Sequence, residues 1–170
     1  MTHTKNVGGG MKSIDGDIIE LALAGQFDVI VHGCNCFNAM GKGIAKSIRA
    51  VFPEAYEADC RTKAGDREKL GTFTKAAARR RDGLTIVNAY TQYDYRGPQP
   101  NADYAAIRAV FRAIKEAFPG ARIGYPLIGA GLARGDWNII AAIIEEELVG
   151  EDHTLVRYRP AAPSSSLALF

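Results

Sequence analysis

The stretch over residues 28–52, DVIVHGCNCFNAMGKGIAKSIRAVF, constrains the fold of this chain more than any other. It opens on a short β-branched run (28–32, DVIVH), which reads as a buried strand. A glycine-rich loop follows (33–43, GCNCFNAMGKG), and then a helical pattern over 43–52 with Ile44, Ile48, Val51 and Phe52 on one face. The same unit recurs downstream: a strand over 122–125, a glycine loop over 128–135 (IGAGLARG), and a helix over 136–148 with Trp137, Ile140, Ile144 and Leu148 inward and Asp136 as its N-cap. Between the two units, residues 54–63 read as a polar helix after Pro53. Residues 70–76 and 84–90 read as strands joined by a basic turn at 79–83. Residues 103–118 form the clearest helix, with Tyr104, Ile107, Val110, Phe111, Ile114 and Phe118 at three- and four-residue steps, stopped by Pro119-Gly120. A last strand is expected over 153–158. Strands alternating with helices imply a three-layer α/β/α domain around a mixed, mainly parallel sheet.

The 170 residues fit one such domain, and a composition of 47% hydrophobic and 24% charged residues excludes a disordered chain. Lys and Arg number 21 against 19 Asp and Glu, too small an excess for a dedicated nucleic-acid domain. No apolar run reaches the length of a membrane span. The three cysteines, Cys34, Cys36 and Cys60, cannot all pair within the chain, which points to a reducing cytoplasm. Residues 1–10, ending in three glycines, read as a flexible leader without the apolar core of a signal peptide. Residues 160–170, rich in Pro, Ser and Ala, read as a tail, leaving 11–159 as the domain.

In parallel sheets, ligands bind outside the carboxyl ends of the strands, where both glycine loops must lie. Glycine lets backbone N–H groups approach a ligand closely, and a following helix N-terminus adds partial positive charge. Two such loops facing one cleft suit a diphosphate, whereas either alone could be a tight turn beside a helix start. Neither matches a phosphate-binding GxxxxGK[ST] loop or a complete GxGxxG. Cys34-Asn35-Cys36 has no partner cluster for zinc, and its cysteines read as small packing residues.

Three segments in order, Gly16-Asp17-Ile18, VHGCNCFNAMGKGIA and YPLIGAGLARGDW, resemble the macrodomain family, and the resemblance covers most of the domain. It implies a macrodomain fold and ADP-ribose as ligand. Asp17 matches the residue that accepts from the adenine amino group, with the Ile18 backbone N–H beside it; an N-cap role for Asp17 is compatible with both. Asn35 matches the asparagine at the distal ribose, although a turn-forming Asn would look the same. Gly41, Gly43, Ile44 and Ala45 match the first phosphate loop, and Ile128, Gly129, Ala130, Gly131 and Leu132 the second. Tyr158 falls where family members often set an aromatic against adenine.

The HGCNC and MGKGIA segments are similar to the branch holding ADP-ribose-1″-phosphate phosphatases and terminal ADP-ribose glycohydrolases. The glycohydrolase lysine and aspartate are replaced by Gln92 and Ala133, which cannot form a Schiff base or its carboxylate partner. The phosphatase type carries a histidine at the position of His32, so His32 and Asn35 are the catalytic expectation, an imidazole able to act as acid, base or nucleophile. Its structural alternative is a satisfied histidine at a strand end. Asp82 is a candidate second acid, and Asn88 and Gln92 candidate lining of the distal-ribose pocket. The reaction is expected to need no metal and no cofactor. The expected partners are ADP-ribose or a derivative and ADP-ribosylated macromolecules, not a membrane or nucleic acid; the Arg79-Arg80-Arg81 turn reads as a solvated hairpin. The alternative to a hydrolase is a non-catalytic reader of ADP-ribose.

Overall fold

Along the central strand, successive side chains go to opposite faces and meet different helices, which is how one sheet serves two cores. The structure, a computed structural model, describes residues 5–7, 10–98 and 100–160. Its strands are β1 (Lys5–Val7), β2 (Met11–Gly16), β3 (Val29–Cys34), β4 (Phe73–Ala77), β5 (Thr85–Tyr90), β6 (Arg122–Tyr125) and β7 (Asp152–Tyr158). Its helices are α1 (Ile18–Leu23), α2 (Gly43–Val51), α3 (Pro53–Cys60), α4 (Tyr104–Ala117) and α5 (Trp137–Glu147). On β3, Val29 and Val31 pack with Ile107, Val110, Phe111 and Ile114 of α4 and Ile140, Ile143 and Ile144 of α5. Ile30 instead joins Ile18, Ile19 and Ala22 of α1, Ile48 of α2 and Ala55 of α3. Helices therefore cover both faces.

The sheet has seven strands in the order β1-β2-β7-β6-β3-β5-β4. The five inner strands are parallel, and β1 and β4 close the edges antiparallel. This is the mixed, mainly parallel three-layer architecture expected from the sequence. The β4–β5 hairpin is also as expected, but its first strand begins at Phe73: Arg67–Lys69 make a single 3-10 turn, so Leu70 is a cap rather than a strand residue. The basic turn between them is less solvated than a free hairpin tip. Arg81 Nη1 donates to the Ala22 and Phe27 carbonyls at 2.8 and 2.6 Å, and the Arg79 backbone N–H donates to Glu54 Oε1 at 2.8 Å.

The sequence pattern does not single out β2. Within the stretch expected to be a leader, Lys5–Val7 pairs with Met11–Ser13 as an edge strand; the remaining leader residues except Gly10, and residues 161–170, lie outside the described residues. All three cysteines are free, with Cys34 and Cys36 buried. No helix among the described residues is long and apolar enough to cross a membrane.

Candidate functional site

The parallel strands end along one edge, and their order places the loops in a row. β3 and β6 are neighbours, yet register pairs them only at Val29↔Ile123 and Ile30↔Gly124, so the strands part above that point. The helices that follow them go to opposite faces: α2 packs on the side of Ile30, α5 on the side of Val31. Adjacent strands whose connections leave in opposite directions open a crevice at their carboxyl ends. The loop 35–42 forms one wall and the loop 126–136 the other, close enough that a Cβ on Gly43 would sit 3.4 Å from Leu132 Cδ1. β2 and β7 end on one side of this crevice and β5 on the other.

At the β2–β7 side, Gly16 is in register with Tyr158, which brings Asp17, Ile18 and Tyr158 together. Asp17 is the N-cap of α1: its Oδ1 accepts from the Ile19 and Glu20 backbone N–H groups at 2.9 and 3.3 Å, and Oδ2 takes part in neither bond. One oxygen thus holds the helix while the other is left for a donor. The Tyr158 ring is 74% exposed, so it serves no core.

On the first wall, Asn35 shapes the loop it sits in. Its Oδ1 accepts from Phe37 N at 2.9 Å and Ala39 N at 3.5 Å, and its Nδ2 donates to the Ala39 carbonyl at 2.9 Å, leaving one amide hydrogen unused. Gly41 is exposed, and α2 starts at Gly43 behind Lys42 with no side-chain cap, so the amides of Gly43, Ile44 and Ala45 have no capping acceptor. On the second wall Asp136 is the N-cap of α5, as the sequence leads one to expect. Asp136 Oδ1 accepts from Asn138 N at 2.9 Å and occupies the start of α5, so this wall offers the amides of Gly129, Gly131 and Leu132 rather than a bare helix end; those of Ile128 and Ala130 are spent on the Pro126 and Leu127 carbonyls. The loop is folded on itself by Gly135 N donating to Gly129 O at 2.6 Å and Ala130 N to Leu127 O at 3.2 Å. Gly129 has φ +72°, which a side chain would strain.

Beyond β5, Asn101 braces the second wall, its N–H donating to the Ala133 carbonyl at 2.9 Å, while Asp103 N donates back to the Thr91 carbonyl at 2.9 Å. No sequence signal marks this brace. Gln92, bridged to Ala102, has a buried Oε1 with no hydrogen-bond partner. The residue is partly exposed, but this oxygen has no surface of its own and faces a ligand only if the side chain turns.

Three expected participants are placed elsewhere. His32 has no exposed surface; it lies on the same face as Ile30, and its Nε2 is 2.7 Å from Asn88 Oδ1. Burial holds its pKa down at about 4, against a smaller upward pull from Asn88, so the ring is neutral near pH 7. A neutral imidazole without accessible surface cannot touch a ligand, which corrects the catalytic expectation. Asn88 is equally buried and spends its Nδ2 on the Ala55 carbonyl at 2.9 Å and Thr74 Oγ1 at 3.0 Å, so it does not line a pocket. Asp82 precedes β5 and lies in the β4–β5 turn, at the opposite end of the strands. A hollow of about 600 Å³ on the protein is lined by α4 and α5 residues alone, among them Tyr104, Arg108, Asn138 and Ile139, and is separate from the crevice walls.

This chain is similar to several known proteins. Over 141 residues, covering 79% of this chain and 88% of the other, it is 36% identical to an uncharacterized 17.5 kDa protein from the tk-vs intergenic region of Enterobacteria phage T4. A shorter stretch of 53 residues, 31% of this chain and 25% of the other, is 36% identical to an ADP-ribose 1″-phosphate phosphatase of Aspergillus oryzae. In three dimensions it matches Thermosipho africanus DarTG, solved in complex with ADP-ribose, with a TM-score of 0.69 at 16% identity, over 94% of this chain and 44% of that one. The model of the Macro domain matches residues 31–144, which include most of β3, both glycine loops and most of α5. The chain belongs to the Macro domain family.

Proposed function

We propose that this protein binds ADP-ribose along the strand-end crevice. The observation that carries the reading is the pair of glycine loops on neighbouring, diverging strands, with a carboxylate oxygen of Asp17 uncommitted at one end and the Gln92 Oε1 unpartnered at the other. The adenine amino group would donate to Asp17 Oδ2 beside the Ile18 N–H, and the Tyr158 ring would cover the base. The diphosphate would lie between the walls and accept from the backbone N–H groups of Gly43, Ile44 and Ala45 on one side and of Gly129, Gly131 and Leu132 on the other. The distal ribose would then reach Asn35, whose one unused amide hydrogen can serve a hydroxyl, and the Gln92 side chain, which would turn its buried Oε1 toward the sugar on binding. The DarTG match, solved with ADP-ribose, agrees with this ligand.

A second reading, removal of phosphate from ADP-ribose-1″-phosphate, is supported by the 53-residue similarity to the Aspergillus oryzae phosphatase. His32 is not available for it, so Asn35 and Gln92 could only orient the attacking water, and its proton would go to an oxygen of the substrate phosphate.

Calorimetry with ADP-ribose tests the binding reading, run beside Asp17→Asn and Asp17→Ala. Asn is as good an N-cap as Asp, whereas Ala costs about 1 kcal/mol of stability. Both variants should weaken ADP-ribose by about tenfold, the loss of one charge-assisted hydrogen bond, while only Asp17→Ala lowers the unfolding midpoint. Wild-type protein that ignores millimolar ADP-ribose would sink the assignment. Phosphate release from ADP-ribose-1″-phosphate in the same samples separates an enzyme from a reader.

A further inference from the structure

The first glycine loop is held from below by a buried cation that no sequence motif marks. Lys69, at the end of the 3-10 turn Arg67–Lys69, is 7% exposed. Its Nζ donates to Asn38 Oδ1 at 2.6 Å and to the Cys36 carbonyl at 3.2 Å, two groups of the loop itself. The same ammonium lies 3.8 Å from Asp59 Oδ1 and 4.7 Å from the Tyr90 ring centre. Asp59 is 1% exposed and is fixed in turn by the Tyr90 hydroxyl, which donates to Oδ1 at 2.7 Å. Asn38 stands at φ +57°, a left-handed conformation that Asn adopts more readily than other non-glycine residues. Its Nδ2 donates to the Thr62 carbonyl at 3.0 Å, so its side chain is anchored at both ends.

A buried ammonium is destabilising unless its hydrogens are used and its charge is balanced. Here two hydrogens are spent on the loop, and the balancing carboxylate is reached from α3. An apolar side chain could fill the same space without specifying the path of residues 36 to 38. Those residues set where Gly41 and the start of α2 stand. We propose that Lys69, balanced by Asp59, is the positioning residue that holds the first glycine loop in its ligand-ready shape. The role rests on reading that loop as an ADP-ribose contact, and it acts through preorganisation: a loop ordered before binding does not charge its ordering entropy to the ligand.

The test is Lys69→Met, which keeps the aliphatic stem and removes the ammonium, with Asn38→Gly as the second variant. Glycine takes φ +57° without strain and lacks the oxygen that Lys69 holds. In the ligand-free proteins, amide exchange at Cys36, Phe37 and Ala39, whose N–H groups are hydrogen-bonded in this loop, should speed up about tenfold or more, while amides of β3 and β5 keep their protection. ADP-ribose should bind about tenfold more weakly to either variant, and adenosine, which reaches only the Asp17 end, should change by less than about twofold. A folded variant with unchanged exchange at Cys36, Phe37 and Ala39 overturns the proposal. So does an equal loss of both ligands, which is the mark of a general structural defect. If Lys69→Met does not fold, Asn38→Gly decides alone. Failure of the wild type to bind ADP-ribose defeats the ligand assignment instead, and the exchange data still decide whether Lys69 sets the loop.

Discussion

His32 shows how a residue can carry the right motif and the wrong chemistry. The segment HGCNC puts a histidine just before the site asparagine, and similarity alone makes it a reacting group. Period-two alternation along β3 decides otherwise, because His32 shares a face with Ile30, beneath α3 and away from the crevice. Its hydrogen bond also assigns its tautomer. Asn88 turns its Nδ2 toward Ala55 and Thr74, so its Oδ1 must accept, and His32 Nε2 carries the hydrogen. The Cys34 sulfur, 3.7 and 3.6 Å from the two ring nitrogens, lies beside the ring rather than in line with one lone pair. The pH consequence has a definite sign. An unfolded chain protonates this histidine below its ordinary 6.5, whereas the folded chain resists until about 4. The unfolded state therefore binds more protons across that window, and stability falls as pH drops through it, by on the order of 3 kcal/mol. His153, also lowered by burial, adds in the same direction. In an NMR titration the His32 Cε1 proton should stay flat from about pH 8 to about pH 5. A midpoint near 6.5 would mean that solvent reaches the ring, and the catalytic reading would return.

At the scale of elements, what the sequence made legible followed the strength of its periodicity. α4 and α5 repeat their apolar residues every three or four positions and fall within a residue or two of the expected bounds. β2 reads MKSIDG, half buried in the pattern of an inner strand near the sheet edge, and has no run of β-branched residues to announce it. The glycine loops were visible as composition, but composition does not separate glycines that shape a loop from glycines that leave room. The structure does. A Cβ on Gly135 would lie 2.7 Å from the Gly129 carbonyl oxygen and 2.9 Å from Ile140 Cδ1, so that glycine is needed by the fold. A Cβ on Gly131 would meet nothing within 4 Å, and its φ is not in the left-handed range, so that glycine is not. Gly135→Ala should cost about 1–3 kcal/mol in urea unfolding, because backbone has to move. Gly131→Ala should stay within about 0.5 kcal/mol of wild type. The reverse order should hold for ADP-ribose, with Gly131→Ala weakening binding in a protein of undiminished stability. Equal stability losses in the two variants would contradict this division of labour.

At the scale of the molecule, the near-balance of charge fits the way the crevice would treat an anion. The net charge of +2 gives no large basic excess to attract a diphosphate, and the walls carry one cation each, Lys42 and Arg134, beside their backbone amides. Such a site binds through groups whose positions depend on the whole sheet. The two walls follow β3 and β6, central strands shared by both cores, while the adenine end sits on β2 and β7. A ligand spanning these elements ties together parts that must separate on unfolding, so its binding energy should appear in global stability rather than in one loop. With ADP-ribose at a hundred times its Kd the gain is about 2.7 kcal/mol, and for a domain of this size that raises Tm by about 5–11 °C. Adenosine at a matched multiple of its own Kd should give the same gain, since mass action counts occupancy and not contacts. The distinguishing measurement is therefore the concentration at which each shift sets in. If the walls hold the diphosphate, ADP-ribose should act at far lower concentration than adenosine; coincident onset would leave only the adenine end as a binding element.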